Sequence, residues 1–276
     1  MKITAADVNK LRKQTGAGMM DCKNALVEAE GNVENAVDIL RKKGQKIAAK
    51  RADRDAAEGC VLAQANADNS KGFIISLNCE TDFVAKNDGF VTLAQEIMNV
   101  VVEGAPSDLD ALKALNINGM TIGEKLIEQT GVIGEKLEIG SFELVEASFV
   151  ASYIHAGNRL ATIVGLSSNP AEAAVVGRDV AMQVAAMNPL AVSKDGIDQA
   201  TIDREIEVAK DQIRQEGKPE EMLEKIAMGK LNKFFKDNTL LPQAFIKDSK
   251  KSVAQYLEGA EKGLTVTVFK RVGLGV

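Results

Sequence analysis

Twice along this chain two strand-like runs precede a helix, and this recurrence constrains the fold more than any single residue does. Val61 to Ala65 and Phe73 to Leu77 read as strands, with Asn69-Ser70-Lys71-Gly72 as turn chemistry between them. Phe90, Val91, Leu93, Ala94, Ile97 and Met98 then follow a helical period. The plan returns in Phe142 to Tyr153 and Leu160 to Leu166, followed by a helix from Val175 to Met187 that ends at Asn188-Pro189. Two hairpin-and-helix units in one chain suggest an internal duplication.

Before the first unit lies a small helical head. Thr4-Ala5-Ala6-Asp7 has the form of a capping box with Asp in place of Glu, and Val8 and Leu11 line one face of the helix that follows. Gly16 and Gly18 break that helix; Met20 to Ala29 resumes it, with Ala25, Leu26 and Ala29 inward. Gly31-Asn32 ends the second helix and caps a third, whose Val33, Val37 and Leu40 share a face. Gly44 is read as the end of the third helix, and Lys42 to Arg54 as a basic helical linker. Residues 105–140 contain helical fragments and a short repeat, Gly123-Glu124-Lys125-Leu126 and Gly134-Glu135-Lys136-Leu137, without a clear place in the fold. From Ile202 the spacing of Ile202, Ile206, Ala209 and Ile213 marks one arm of a helical hairpin. Gly217-Lys218-Pro219 turns the chain, and Met222, Leu223, Ile226 and Ala227 line the return. Leu264 to Phe269 closes as a strand pairing with the second sheet.

Charge argues against a nucleic-acid binder, because the net formal charge is −5. The charge is uneven, and the head is basic. Cys22, Cys60 and Cys79 form neither a disulfide ladder nor metal-ligand spacing. No run approaches the roughly 20 apolar residues of a membrane span. Met1 leads straight into the capped helix. A cytoplasmic chain without metal or cofactor is expected.

One segment stands apart. A strand-like run from Gly72 to Asn78 enters a Thr-Asp turn, so Asp82 and Phe83 sit side by side where the strand ends, a position from which loops present residues to partners. By burial statistics alone Phe83 belongs in a core, and Asp82 could simply cap the next helical turn. Met19 and Met20 are also open: one could plug the small bundle while the other offers contact surface. Cys79 and His155, the only histidine, could form a nucleophile–base pair in a thiol hydrolase, which would need a depressed thiol pKa. A helical adaptor that binds nucleic acid through the basic head is a third class.

Several motifs together resemble the bacterial elongation factor Ts family. Thr15-Gly16-Ala17-Gly18-Met19-Met20-Asp21-Cys22-Lys23 with Ala25-Leu26 is similar to its amino-terminal signature, and Thr81-Asp82-Phe83-Val84-Ala85-Lys86 to its second. Val184 to Pro189, Gly217 to Glu220 and Leu231 to Phe235 follow in the family's order. Gly157-Asn158-Arg159-Leu160-Ala161 retains only part of the family's glycine pair, Arg, aliphatic residue and Gly, and Pro242 and Ala244 are further departures. The resemblance implies an α+β fold: a ubiquitin-associated-like three-helix domain with its linker over 1–55, and duplicated core subdomains over 56–140 and 141–276 with antiparallel sheets. A protruding helical hairpin at about 190–229 is inserted in the second subdomain. It implies an exchange factor, not an enzyme, that binds elongation factor Tu and accelerates GDP release. Thr81, Asp82, Phe83 and Val84 would act toward the partner's magnesium site, with further contacts from Arg12, Met19, Met20 and His155. It also implies no direct nucleic-acid or membrane partner, and self-association through the hairpin in some relatives. Ile202 to Ile213 is read as ordinary intramolecular packing in preference to a dimer seam.

Overall fold

Thr4 opens the first helix by the expected box: its Oγ1 accepts from the Asp7 N–H at 3.3 Å, and Asp7 Oδ2 accepts the Thr4 N–H at 3.0 Å. In the computed structural model, which describes residues 3–275, this helix is α1 (Ala5–Thr15). Met1, Lys2 and Val276, at the outer bounds of the domains read from sequence, lie outside the described residues. Gly16 ends α1 at φ +71°, a left-handed conformation that glycine adopts without steric penalty. After α2 (Met19–Glu28), Asn32 caps α3 by accepting from the Asn35 N–H at 3.0 Å. Val8, Leu11, Cys22, Ala25, Leu26 and Ala36 form the core of these helices.

Here the reading of Gly44 fails. α3 runs unbroken from Val33 to Arg51, and Gly44 is buried in its interior. The glycine is a packing device: it lies against Gly131, where a side chain on the latter would strike the α3 backbone. The stretch read as a helical linker is, from Lys42 to Arg51, the second half of α3.

The chain divides into two compact units. One comprises the residues up to Leu62, Ile75–Phe142 and those from Gly273 on; the other comprises Ala63–Ile74 and Glu143–Val272. Strands β1 (Glu58–Ala65) and β2 (Lys71–Cys79) are followed by α4 (Asp82–Ala85) and α5 (Asp88–Gly104). α5 buries Phe90, Leu93, Ala94, Ile97, Met98 and Val101, the face its period announces. Residues 105–140 resolve into α6 (Leu109–Ala114), a two-stranded ribbon of β3 (Asn116–Ile117) and β4 (Met120–Thr121), α7 (Ile122–Ile133) and the start of β5 (Glu138–Glu146). The ribbon turns through Asn118 and Gly119, both at positive φ, as a tight hairpin requires.

Next come β6 (Phe149–Ile154), β7 (Leu160–Leu166) and α8 (Ala173–Met187). β6 and β7 are antiparallel, with Phe149 opposite Leu166 and Ile154 opposite Ala161. The helical hairpin follows as α9 (Gln199–Gln215) and α10 (Leu223–Asn238). Ala209 and Ile213 pack on Leu223 and Ala227, whereas Ile202 and Ile206 of the same stripe are half-buried and Met222 is exposed. The chain closes with β8 (Ala244–Phe245), β9 (Asp248–Ser252), α11 (Val253–Ala260) and β10 (Val266–Gly273).

The two three-stranded sheets share one strand order. In β1-β2-β5 and in β6-β7-β10 the second strand of a hairpin is central, and a third strand joins it after helices. The core beside β6 and β7 gathers Phe149, Val164, Leu166, Val176, Val180 and Val184. The fold is α+β, as expected. Among the described residues no helix is long and apolar enough to cross a membrane.

Two of the sequence departures have local explanations. Asn158 sits at φ +54° beside Gly157 at φ +87°. Asn is among the few residues besides glycine that adopt this region readily. Ala244 is exposed and contributes its carbonyl, which accepts from Gln183 Nε2 at 3.2 Å, so its side chain is not what holds the segment.

Candidate partner-binding site

β2 ends at Cys79, and the chain then makes a single short helical turn. Thr81 is the N-cap of α4: it has extended backbone, and its Oγ1 accepts the Val84 N–H at 3.4 Å. The capping role considered for Asp82 thus belongs to its neighbour. Asp82 is the first residue of α4 and accepts from Lys86 Nζ at 2.6 Å, one helical turn on. That hydrogen bond is the main reason its carboxyl is held below the usual range. Both side chains are well exposed, so the pair orients more than it stabilises. Phe83 is 84% exposed, the highest value among the exposed large apolar side chains. The expectation from burial statistics fails here: Phe83 is not a core residue.

The base of the turn is fixed by two carboxylates. Glu80 accepts two hydrogen bonds from Arg51 Nη1, at 2.7 and 2.8 Å, and its Oε1 also accepts the Lys136 N–H at 2.7 Å. The Lys136 backbone bond is the largest influence lowering the Glu80 pKa, and Arg51 adds to it. Glu135, just beyond α7, accepts the Thr81 N–H at 3.0 Å and the Thr81 hydroxyl at 2.7 Å. Arg51, Glu80, Glu135 and Lys136 were not singled out as site residues by sequence reading. The repeated Gly-Glu-Lys-Leu was the available signal, since in its first copy Glu124 also accepts from a helix-capping threonine, Thr121, at 2.8 Å.

Cys79 is fully buried, and its Sγ donates to the Thr81 carbonyl at 3.2 Å. Burial first, and the nearby Glu135 charge second, push its pKa up to about 12. This is the opposite of the depressed value a thiol nucleophile requires.

In the head, Arg12 is exposed in the last turn of α1. Met19 and Met20 are both exposed at the start of α2, so neither plugs the bundle. Val27, also exposed, extends the same apolar surface along α2. Its position seven residues after Met20 was a legible signal. His155 is described within the other unit, exposed just after β6. Its Nδ1 lies 3.0 Å from the Tyr153 hydroxyl, and its backbone N–H donates to the Leu160 carbonyl at 2.8 Å.

An exposed aromatic on a turn clasped at its base and, separately, an exposed methionine surface on α2 are features of a class of protein that binds another protein. The family model for "Elongation factor TS" matches residues 80–276. The elongation factor Ts of Christiangramia forsetii is 60% identical over 274 residues, covering 99% of each chain. That of Flavobacterium psychrophilum is 56% identical over 273 residues, again 99% of each, and that of Amoebophilus asiaticus is 52% identical over 276 residues, all of both chains. The chain belongs to the elongation factor Ts family, and with it to the elongation factors of protein biosynthesis.

Proposed function

We propose that this chain binds elongation factor Tu and accelerates release of its GDP, so that GTP can rebind, by disturbing the partner's magnesium and phosphate site. The observation that carries the reading is Phe83, a large apolar side chain held out in solvent beside Asp82 on a turn whose base is fixed. Exposing an aromatic there has no benefit to this fold, whereas a buried aromatic is the usual anchor of an interface. Thr81, Asp82, Phe83 and Val84 form the wedge; Arg12, Met19, Met20 and His155 supply further contacts.

Magnitudes require that division of labour. A nanomolar nucleotide is held by about 12 kcal/mol, and burying one phenylalanine contributes roughly 1.5–3 kcal/mol. The wedge directs binding free energy gathered over a wider surface. By linkage, factor and nucleotide weaken each other's binding by the same ratio, so the factor holds the empty GTPase most tightly and leaves when nucleotide returns. No bond in any substrate is made or broken in this scheme, and neither cofactor nor direct nucleic-acid or membrane contact enters it. In this reading residues 1–55 serve as the docking head, 56–140 and 141–276 as the two halves of the core, and the hairpin at about 190–229 as a projection available for self-association.

The test is to time the release of a fluorescent guanine nucleotide from elongation factor Tu with and without this protein. Acceleration that saturates with protein concentration is expected; an unchanged release rate overturns the reading.

A further inference from the structure

We infer that Glu135 is a positioning residue that aims Phe83, through a reciprocal clasp between residues 80–81 and 135–136. The inference rests on the wedge reading given above. A capping box normally closes locally: the side chain three residues after the N-cap returns to accept the N-cap N–H. In α4 that third residue is Val84, which has no acceptor in its side chain. Glu135 fills the role from 54 positions away, and it takes the Thr81 hydroxyl as well as the N–H. The exchange is two-way, because Lys136 gives its own N–H to Glu80. Each segment thus offers one backbone N–H and one carboxylate to the other.

Two anchored oxygens fix a direction as well as a distance. A local capping box would set only the shape of the turn. The clasp sets its orientation relative to α7 and β5, and Arg51 at the end of α3 secures Glu80 from another side. Phe83 lies two residues beyond Thr81, so rotating the Thr81 peptide swings the ring. Glu135 never touches the partner in this scheme; it acts through Thr81.

The test combines Glu135→Ala and Glu135→Gln with Phe83→Ala. Nucleotide release from elongation factor Tu is followed over a range of protein concentrations, and thermal melting is recorded on the same samples. Glu135→Ala should lower the maximal release rate by about tenfold, within the scale set by misplacing a working group by about 1 Å and no more than removal of the Phe83 ring itself costs. The half-saturating concentration should stay unchanged, since the other contacts remain. Glu135→Gln should restore most of the rate, because the amide oxygen still accepts the Thr81 N–H. In the Phe83→Ala background Glu135→Ala should add nothing further, the non-additivity of residues acting through one another. Should Glu135→Ala fail to fold, Glu135→Asp shortens the arm while keeping the charge, and the same comparison applies. Equal losses in both backgrounds, or a normal maximal rate per folded molecule, overturn the inference while leaving the wedge intact. A normal maximal rate for Phe83→Ala alone overturns both.

Discussion

Gly44 and Gly131 meet backbone to backbone where α3 crosses α7, and the contact is asymmetric. A Cβ on Gly131 would stand 2.4 Å from Gly44 Cα, whereas one on Gly44 would stand 3.6 Å from Gly131 Cα. The first is an impossible approach and the second an ordinary one. Gly131→Ala should therefore force the helices apart and destabilise the protein by about 1–3 kcal/mol. Gly44→Ala should be neutral or stabilising, by up to about 0.5–1 kcal/mol of helix propensity. Urea titration of the two variants checks the order; the reverse order would show that the helices do not cross as described.

This pair also shows where sequence reading stops. Glycine after an amphipathic run is a good local stop signal, and at Gly16 it is correct. At Gly44 the deciding partner lies far along the chain, and tertiary packing overrides the local preference. Caps at Thr4 and Asn32, the α5 period and the hairpin turn at Gly217 were legible because each is set by a few neighbouring residues. Parts of residues 105–140 could have been read the same way. Asn118-Gly119 is a strong hairpin signal, and Thr121 with Glu124 forms a complete capping box.

The candidate site divides along the same line. Asp82 and Phe83 were visible as a strand-end pair, but the exposure of Phe83 contradicts average burial and followed only from the resemblance. The clasp was not visible, since no local pattern connects Thr81 to Glu135.

Cys79 yields a prediction about pH. Its folded pKa is raised from 9.0 to about 12, so above the unfolded value the unfolded chain releases a proton that the folded chain retains. Stability contributed by the buried neutral thiol is complete below the unfolded pKa and is lost as pH rises from that value toward the folded one. The stability of the native protein relative to Cys79→Ala should accordingly shrink between neutral pH and about pH 10, where a free thiol is ionised. A difference that stays constant or grows over that interval would refute the burial argument.

The helical hairpin carries its own small core of Ala209, Ile213, Leu223 and Ala227. Its base is closed by backbone bonds from the Leu190 N–H to the Asn238 carbonyl at 2.8 Å and from the Leu240 N–H to the Ala191 carbonyl at 2.9 Å. Replacing residues 195–228 by a short linker should leave one cooperative thermal transition for the remainder. Calorimetry showing a broad or absent transition would mean that the hairpin supports the main core.

The central claim is that Phe83 spends its apolar surface on a partner and not on this fold, and nucleotide release with Phe83→Ala tests it most directly. If the ring were part of a core, the substitution would destabilise the free protein by about 3–5 kcal/mol. For a side chain this exposed, free-protein stability should change by no more than about 0.5 kcal/mol. The loss should appear instead in the rate of guanine-nucleotide release from elongation factor Tu, at about 2 kcal/mol or more for a central aromatic anchor. That corresponds to about thirtyfold, with Phe83→Leu falling between. Normal release per folded molecule of the Phe83→Ala protein would contradict the account.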